Sequence, residues 1–225
     1  VKLQTILSKS AVEAAPLLLG WVLVRQTPEG IIKLKIVETE AYHQNDPASH
    51  SFRGKTARTA PMFEAGGTIY VYFTYGMYYC LNLVVGAKGV GEAVLLRAAE
   101  PLGGIEIIQN NRVGITNIYN LASGPAKLTQ ALGITDTSLS GKLLNPAPFA
   151  GASVIRLPTT PALKRSGASK SIQYADIWLA PPERPVKANE TVASPRIGIR
   201  EAKQMPWRFY IKDNPFISKH PKKSS

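Results

Sequence analysis

Between residues 31 and 42 the chain alternates tightly. With a period of two, Ile32, Leu34, Ile36, Glu38, Glu40 and Tyr42 share one face of a predicted strand, and Lys33, Lys35, Val37, Thr39 and Ala41 share the other. Residues 21–26 read as its hairpin partner, because Thr27-Pro-Glu-Gly30 places proline and glycine where a turn needs them. Upstream, Ser10-Ala-Val-Glu13 is a capping-box pattern, and Gly20 ends the helix it starts. A polar loop over 43–60 is followed by Gly66-Gly67 and an aromatic run over 70–79, which Gly76 divides into a second hairpin. Residues 92–98 read as a buried strand. Helices are expected over 103–112 and 125–132, the latter with Ser123 near its N-cap and Pro125 in its first turn. Short strands are expected over 153–157, 176–179 and 208–212, with Pro-, Ser- and Lys-rich surface loops over 158–171 and 180–195. This irregular mixture predicts an α+β fold, a single mixed domain over 1–218. It would consist of a curved, mainly antiparallel sheet flanked by helices and a protruding hairpin, with a basic, disordered tail over 219–225.

Composition narrows the function classes. A chain of 225 residues with 44% hydrophobic content can bury a sizeable core. Its 27 Lys and Arg against 15 Asp and Glu leave a charge of +12, which favours a polyanionic partner, nucleic acid first. One cysteine, Cys80, excludes an internal disulfide. His43, His50 and His220 are too scattered for a zinc or iron–sulfur ligand set, which leaves open only metal chemistry that needs no more than carboxylates and water. The longest apolar runs, such as residues 16–24, fall short of a membrane span and no signal-peptide pattern opens the chain, which predicts a soluble intracellular protein. Gly86-x-x-Gly89-x-Gly91 lacks the strand-to-helix context of a nucleotide fingerprint and reads as a turn.

Two features carry candidate chemistry. Glu38 and Glu40 continue the apolar face of the 31–42 strand, where carboxylates are costly unless paired, and two neighbours cannot both ionise cheaply in a dry site. Pairing with a buried arginine such as Arg97 is the structural alternative. The other feature is the aromatic run. Six of the chain's 18 aromatic residues (3 Trp, 9 Tyr and 6 Phe in all) fall in 70–79. Phe73, Tyr79 and Cys80 are expected in the core, whereas Tyr75-Gly76-Met77-Tyr78 forms an exposed tip suited to a wedge entering DNA.

The combination of Val37-Glu-Thr-Glu-Ala-Tyr42, Ser49-His50-Ser51, Met62-Phe63, Gly67-Thr-Ile-Tyr-Val-Tyr72, Tyr75-Gly-Met77, Cys80-Leu-Asn82 and Leu95-Leu-Arg-Ala98 resembles the alkyladenine (3-methyladenine) DNA glycosylases. Ser123-Gly-Pro-Ala-Lys-Leu128, Arg196-Ile-Gly-Ile199 and Arg208-Phe-Tyr210 extend the likeness, which runs in order from about residue 11 to 217. The resemblance implies a monomeric enzyme without cofactor or metal that flips alkylated or deaminated purines out of duplex DNA. It would hydrolyse their N-glycosidic bond in the cytoplasm or nucleoid of a bacterium or the nucleus of a eukaryote. It also implies Glu40 as general base, and Tyr42, His50, Tyr72 and Asn82 as the base pocket. Tyr75, with Met77 and Tyr78, would intercalate, and Arg97 would be a site arginine. Flat rings such as Tyr42 and Tyr72 would favour ring-methylated, cationic purines through cation–π attraction. No lysine falls within the matched pocket motifs, which favours hydrolysis over Schiff-base chemistry. Arg53, Lys55, Arg58, Lys127 and the tail lysines are candidate phosphate contacts. The competing readings are a non-catalytic nucleic-acid-binding module, which leaves the carboxylate pair unexplained, and a nucleoside hydrolase, which needs neither the +12 charge nor the exposed tip.

Overall fold

The structure is a computed structural model that describes residues 2–146 and 172–218. The expected strand over 153–157, the loop over 158–171 and the tail over 219–225 lie outside the described residues. The elements run α1 (Leu3–Leu7), α2 (Ala11–Leu17), β1 (Val22–Thr27), β2 (Gly30–Tyr42), β3 (Ile69–Thr74), β4 (Tyr78–Val84) and β5 (Ala93–Gly103). They continue with α3 (Ile105–Asn111), α4 (Pro125–Ala131), β6 (Ile177–Ala180), β7 (Thr191–Ser194) and β8 (Arg208–Ile211). All strand pairs are antiparallel and form one curled sheet in the order β3-β4-β5-β2-β1-β6, so the α+β expectation holds.

The helix before β1 forms as its cap predicts: the Glu13 carboxylate accepts from the Ser10 N–H at 3.3 Å and from the Ser10 hydroxyl at 2.7 Å. Its Ala11, Ala14 and Ala15 are fully buried, and small side chains there let α2 lie close on β2, where the Thr39 hydroxyl donates to the Ala15 carbonyl at 2.9 Å. Two elements escaped the sequence reading. The five-residue α1 is too short for a helical period to register, and β7 falls in the stretch read as surface loop. Because β7 pairs only with β8, half-exposed residues suffice there and no apolar alternation marks it.

β2 organises the sheet. One edge pairs with β5 over most of its length, and the other pairs with β1 through Lys35 and then with β8 from Glu38 to Glu40. The strict alternation read along it does not hold. Ile36 pairs with Ala99, Glu38 with Ala98 and Thr39 with Leu96, so Val37 is an extra residue on β2 and Arg97 an extra residue on β5. Two compensating bulges therefore change the parity of β2 and restore its register. Ala41 joins Ile32, Leu34 and Ile36 in the main core, and Thr39 faces α2 beside it. Val37, Glu38, Glu40 and Tyr42 occupy the opposite face, which continues Lys33 and Lys35. That face is buried all the same, because Tyr210, Phe216 and Ile217 pack over Val37 and Ala98.

The 43–60 loop is pinned to the turn between β4 and β5. The Ser51 hydroxyl donates to the Gly91 carbonyl at 2.7 Å, and the Gly91 N–H donates to the Gln44 side-chain oxygen at 2.9 Å. Gly86 and Gly89 are left-handed and the segment joins two strands, as a turn should. A Cβ at Gly91 would lie 2.6 Å from Ser51 Cβ and 2.8 Å from Phe63 Cζ. Gly91→Ala should therefore destabilise the protein by about 1–3 kcal/mol, the usual cost of overpacking. Urea unfolding measures this, and an unchanged midpoint would contradict the close packing described.

Candidate active site

A cavity of about 360 Å³ opens on the face that carries the carboxylates. Its walls are drawn from distant parts of the chain, among them Tyr42 at the end of β2, His50 on the loop, Tyr72 and Asn82 on β3 and β4, Arg97 on β5, and the segment 197–201. The structure thus brings together the four residues expected to form the pocket, with Arg97, and Tyr75 reaches the rim from the hairpin.

Glu40 lies fully buried behind these walls. The Tyr42 hydroxyl donates to its Oε2 at 2.8 Å, Arg97 Nη1 lies 3.2 Å from the same oxygen, and the Ile197 N–H donates to Oε1 at 2.8 Å. A carboxylate can accept about four hydrogen bonds, so among the described residues one acceptor position is unfilled. Burial first, and then the Glu40 charge, push the Tyr42 phenol well above its ordinary pKa, so it stays protonated and acts as a donor.

Glu38 is equally buried but differently satisfied. Its Oε1 accepts from Arg97 Nε at 2.9 Å, Arg208 Nε at 2.7 Å and the Ser218 hydroxyl at 2.7 Å, while the Ser218 N–H donates to Oε2. Two arginines and both donors of Ser218 thus hold it, and they tie the C-terminal segment to β2. Burial works to raise its pKa, but the charges of Arg97 and Arg208 outweigh it and hold the carboxyl below the ordinary value of 4.5. Arg97 spans both acids. Burial opposes its charge, Glu40 and Glu38 outweigh that, and its pKa lies above the ordinary range.

His50 Nδ1 meets the Tyr70 hydroxyl at 3.0 Å, and its ring stands edge-on to Tyr72 at 4.5 Å between centroids. Burial, assisted by the charge of Arg58, lowers the His50 pKa and keeps the imidazole neutral at pH 7. The Asn82 amide donates to the Tyr70 carbonyl at 3.1 Å, which fixes its side chain against the cavity. One contact of this architecture was not legible in the sequence, although Arg196 stands in a matched motif. Arg196 and Asp46 form a fully buried ion pair 150 residues apart in the chain. Arg196 also donates to the Ala41 carbonyl at 2.9 Å and lies over the rings of Tyr42 and Trp207 at 4.7 and 5.2 Å. Asp46 Oδ1 accepts from Ala48 N–H, so one pair fixes the Tyr42 ring, the loop wall at Pro47 and Ala48, and the backbone that delivers Ile197 to Glu40.

At the hairpin tip Tyr75 and Gly76 both have positive φ, 51° and 69°, as in a type I′ turn. A left-handed tyrosine is strained, and it leaves this side chain 80% exposed beside an exposed Met77. Tyr78 is half-buried. Phe73 departs from the core position expected for it: it is 48% exposed and packs on Tyr79 at 5.1 Å, because β3 outruns the core at this end. Cys80 is buried as expected. Arg53, Lys55 and Arg58 are exposed on the loop, Lys55 within 3.8 Å of Glu64, and Lys127 donates to Ser123 Oγ at 3.4 Å on α4.

The chain is similar to known proteins over most of its length. The family model described as methylpurine-DNA glycosylase (MPG) matches residues 5–215. A provisionally named 3-methyladenine DNA glycosylase of Francisella tularensis is 43% identical over 217 residues, covering 96% of this chain and 98% of its own. Those of Carboxydothermus hydrogenoformans and Streptomyces avermitilis are 44% and 38% identical, covering 90% and 94% of this chain and 90% and 87% of their own.

The Glu38 network has a measurable signature. A depressed carboxyl pKa contributes stability that is present above the unfolded value and is lost as pH falls through the folded one. Glu38→Gln should cost about 3–5 kcal/mol at pH 7, as breaking a buried ion pair does. The gap to wild type should narrow below about pH 4. Urea unfolding across this range checks it, and equal stability at pH 7 would contradict the assignment.

Proposed function

The chain belongs to the methylpurine-DNA glycosylase family, and on that premise we propose that it rotates alkylated or deaminated purines out of duplex DNA into the 360 Å³ cavity and hydrolyses their N-glycosidic bond, leaving an abasic site. The observation that carries the reading is Glu40, a fully buried carboxylate with one acceptor position unfilled behind an aromatic-walled cavity. In this mechanism a water occupies that position. Its proton passes to Glu40 while its oxygen bonds to sugar C1′, and the C1′–N electrons leave with the purine. The carboxylate also stabilises the oxocarbenium-like state. Tyr42, Arg97 and the Ile197 N–H hold Glu40 in place throughout.

The other residues take roles that fit their environments. The purine stacks against Tyr42 and Tyr72. A neutral His50, whose Nδ1 is engaged by the Tyr70 hydroxyl, presents its other nitrogen as a single donor to the purine edge. Asn82 narrows the pocket against normal guanine. Tyr75, aided by Met77 and by Tyr78 behind the tip, fills the gap left in the duplex. Arg53, Lys55 and Lys127 meet phosphates. Among the described residues no lysine lines the cavity, which supports a reaction that ends at hydrolysis, without strand cleavage. The substrates are the 3-methyladenine, 7-methylguanine, hypoxanthine and ethenoadenine class, and the protein acts as a monomer inside the cell.

Purified protein in EDTA should release free base from duplexes carrying these lesions, without strand scission and without borohydride trapping of a protein–DNA adduct. Failure to release any of the bases would refute the activity, and trapping would refute the hydrolytic course. Tyr75→Ser should slow single-turnover release from duplex by about fivefold or more, given the value of one aromatic stack on a base. Release from an unpaired, single-stranded lesion should change less, and equal effects on both substrates would remove the wedge.

A further inference from the structure

Arg97 and Arg200 line this cavity, and two further guanidiniums stand against its aromatic walls, Arg196 over Tyr42 and Arg58 over Tyr72. Arg97, Arg196 and Arg58 differ in how their charge is compensated. Arg97 is shared between Glu38 and Glu40, and Arg196, over the Tyr42 ring, is paired with Asp46. Arg58 lies 5.6 Å from the centroid of the Tyr72 ring and, among the described residues, has no carboxylate within ion-pair distance. Its charge is felt within the site: it opposes protonation of His50, after burial, and it favours ionisation of Tyr70, against burial.

We propose that Arg58 is a specificity-determining residue, whose uncompensated charge on the Tyr72 wall selects neutral purines such as hypoxanthine and ethenoadenine over purines made cationic by ring methylation. The inference rests on the glycosylase reading of the same cavity and names the lesion class it favours. An aromatic face attracts a cation through its quadrupole, and here that quadrupole already faces one. A methylated purine stacked on the other face of Tyr72 would lie roughly 9 Å from the guanidinium, the 5.6 Å to the ring plus a stacking distance of about 3.5 Å. Like charges at that separation near a protein surface repel by about as much as a cation–π contact gains. The attraction that flat tyrosines offer to a cationic base is therefore cancelled on this wall, whereas a neutral purine keeps its full stacking. Binding to phosphate, the role suggested by position alone, would act on every lesion equally.

Duplexes containing 2′-fluorodeoxyinosine or 2′-fluoro-7-methyldeoxyguanosine separate the two. The fluorine destabilises the oxocarbenium-like state, so dissociation constants can be measured without excision. Arg58→Gln should shift the ratio of the two constants about threefold to tenfold toward the methylated base, the range expected from screened repulsion at this distance. Arg58→Glu should shift it further in the same direction. Equal weakening on both duplexes and on undamaged DNA, with the salt slope reduced by about one, would make Arg58 a phosphate contact and overturn the proposal. An unchanged ratio would overturn it as well. A failure of the underlying glycosylase reading would register separately, as absence of base release by the wild-type protein from unfluorinated lesions.

Discussion

Arg97 bridges two fully buried carboxylates, and the rest of the site is arranged around that contact. Without a cation between them, two carboxylates in a sheet face closed to water would repel one another with nothing to offset the cost of burying them. The bridge exists because β2 and β5 each carry one bulged residue, Val37 and Arg97. Such irregularities re-aim side chains. Here they move both acids and Tyr42 off the α2 side of the sheet and onto the face where the cavity lies.

The two acids become unequal through their partners. Glu38 takes four donors, three of them on Oε1, and joins β2, β5, β8 and the C-terminal segment. Glu40 is held by a phenol, a guanidinium and a backbone N–H, and retains capacity for one more donor among the described residues. The first arrangement is that of an anchor, and the second suits a base that is oriented yet able to meet water. Behind it the Asp46–Arg196 pair fixes the Tyr42 ring and the loop leading to His50 together, so the aromatic walls and the carboxylate are referenced to one another through buried contacts.

Much of this was legible in the chain. Thr27-Pro-Glu-Gly30 announced the β1–β2 hairpin, Ser10 and Glu13 the start of α2, and Tyr75-Gly76 a turn that exposes large side chains. The burial of Glu38 and Glu40 was legible too, but not the face they occupy, since a period of two counts correctly only until a bulge intervenes. Phe73 was misread because residue type signals burial only where the core extends, and at the hairpin end it does not. The contact between Asp46 and Arg196 left no trace in local pattern, because it joins residues 150 apart in the chain. The sequence also offered no spacing argument for Glu40 over Glu38. That preference came from resemblance, and the partners now supply a physical reason for it: Glu40 is held by three groups of the cavity wall, whereas Glu38 is held by Arg208 and Ser218 away from it as well as by Arg97.

The division of labour between the two acids is tested most directly by single-turnover base release from a hypoxanthine duplex under saturating enzyme, comparing Glu40→Gln with Glu38→Gln in protein verified as folded. The account predicts a loss of about 10²-fold or more for Glu40→Gln, the range of general base catalysis. Glu38→Gln, whose amide oxygen can still accept from Arg97, should stay within about tenfold of wild type. Equal losses in the two variants, or a larger loss in Glu38→Gln, would contradict it.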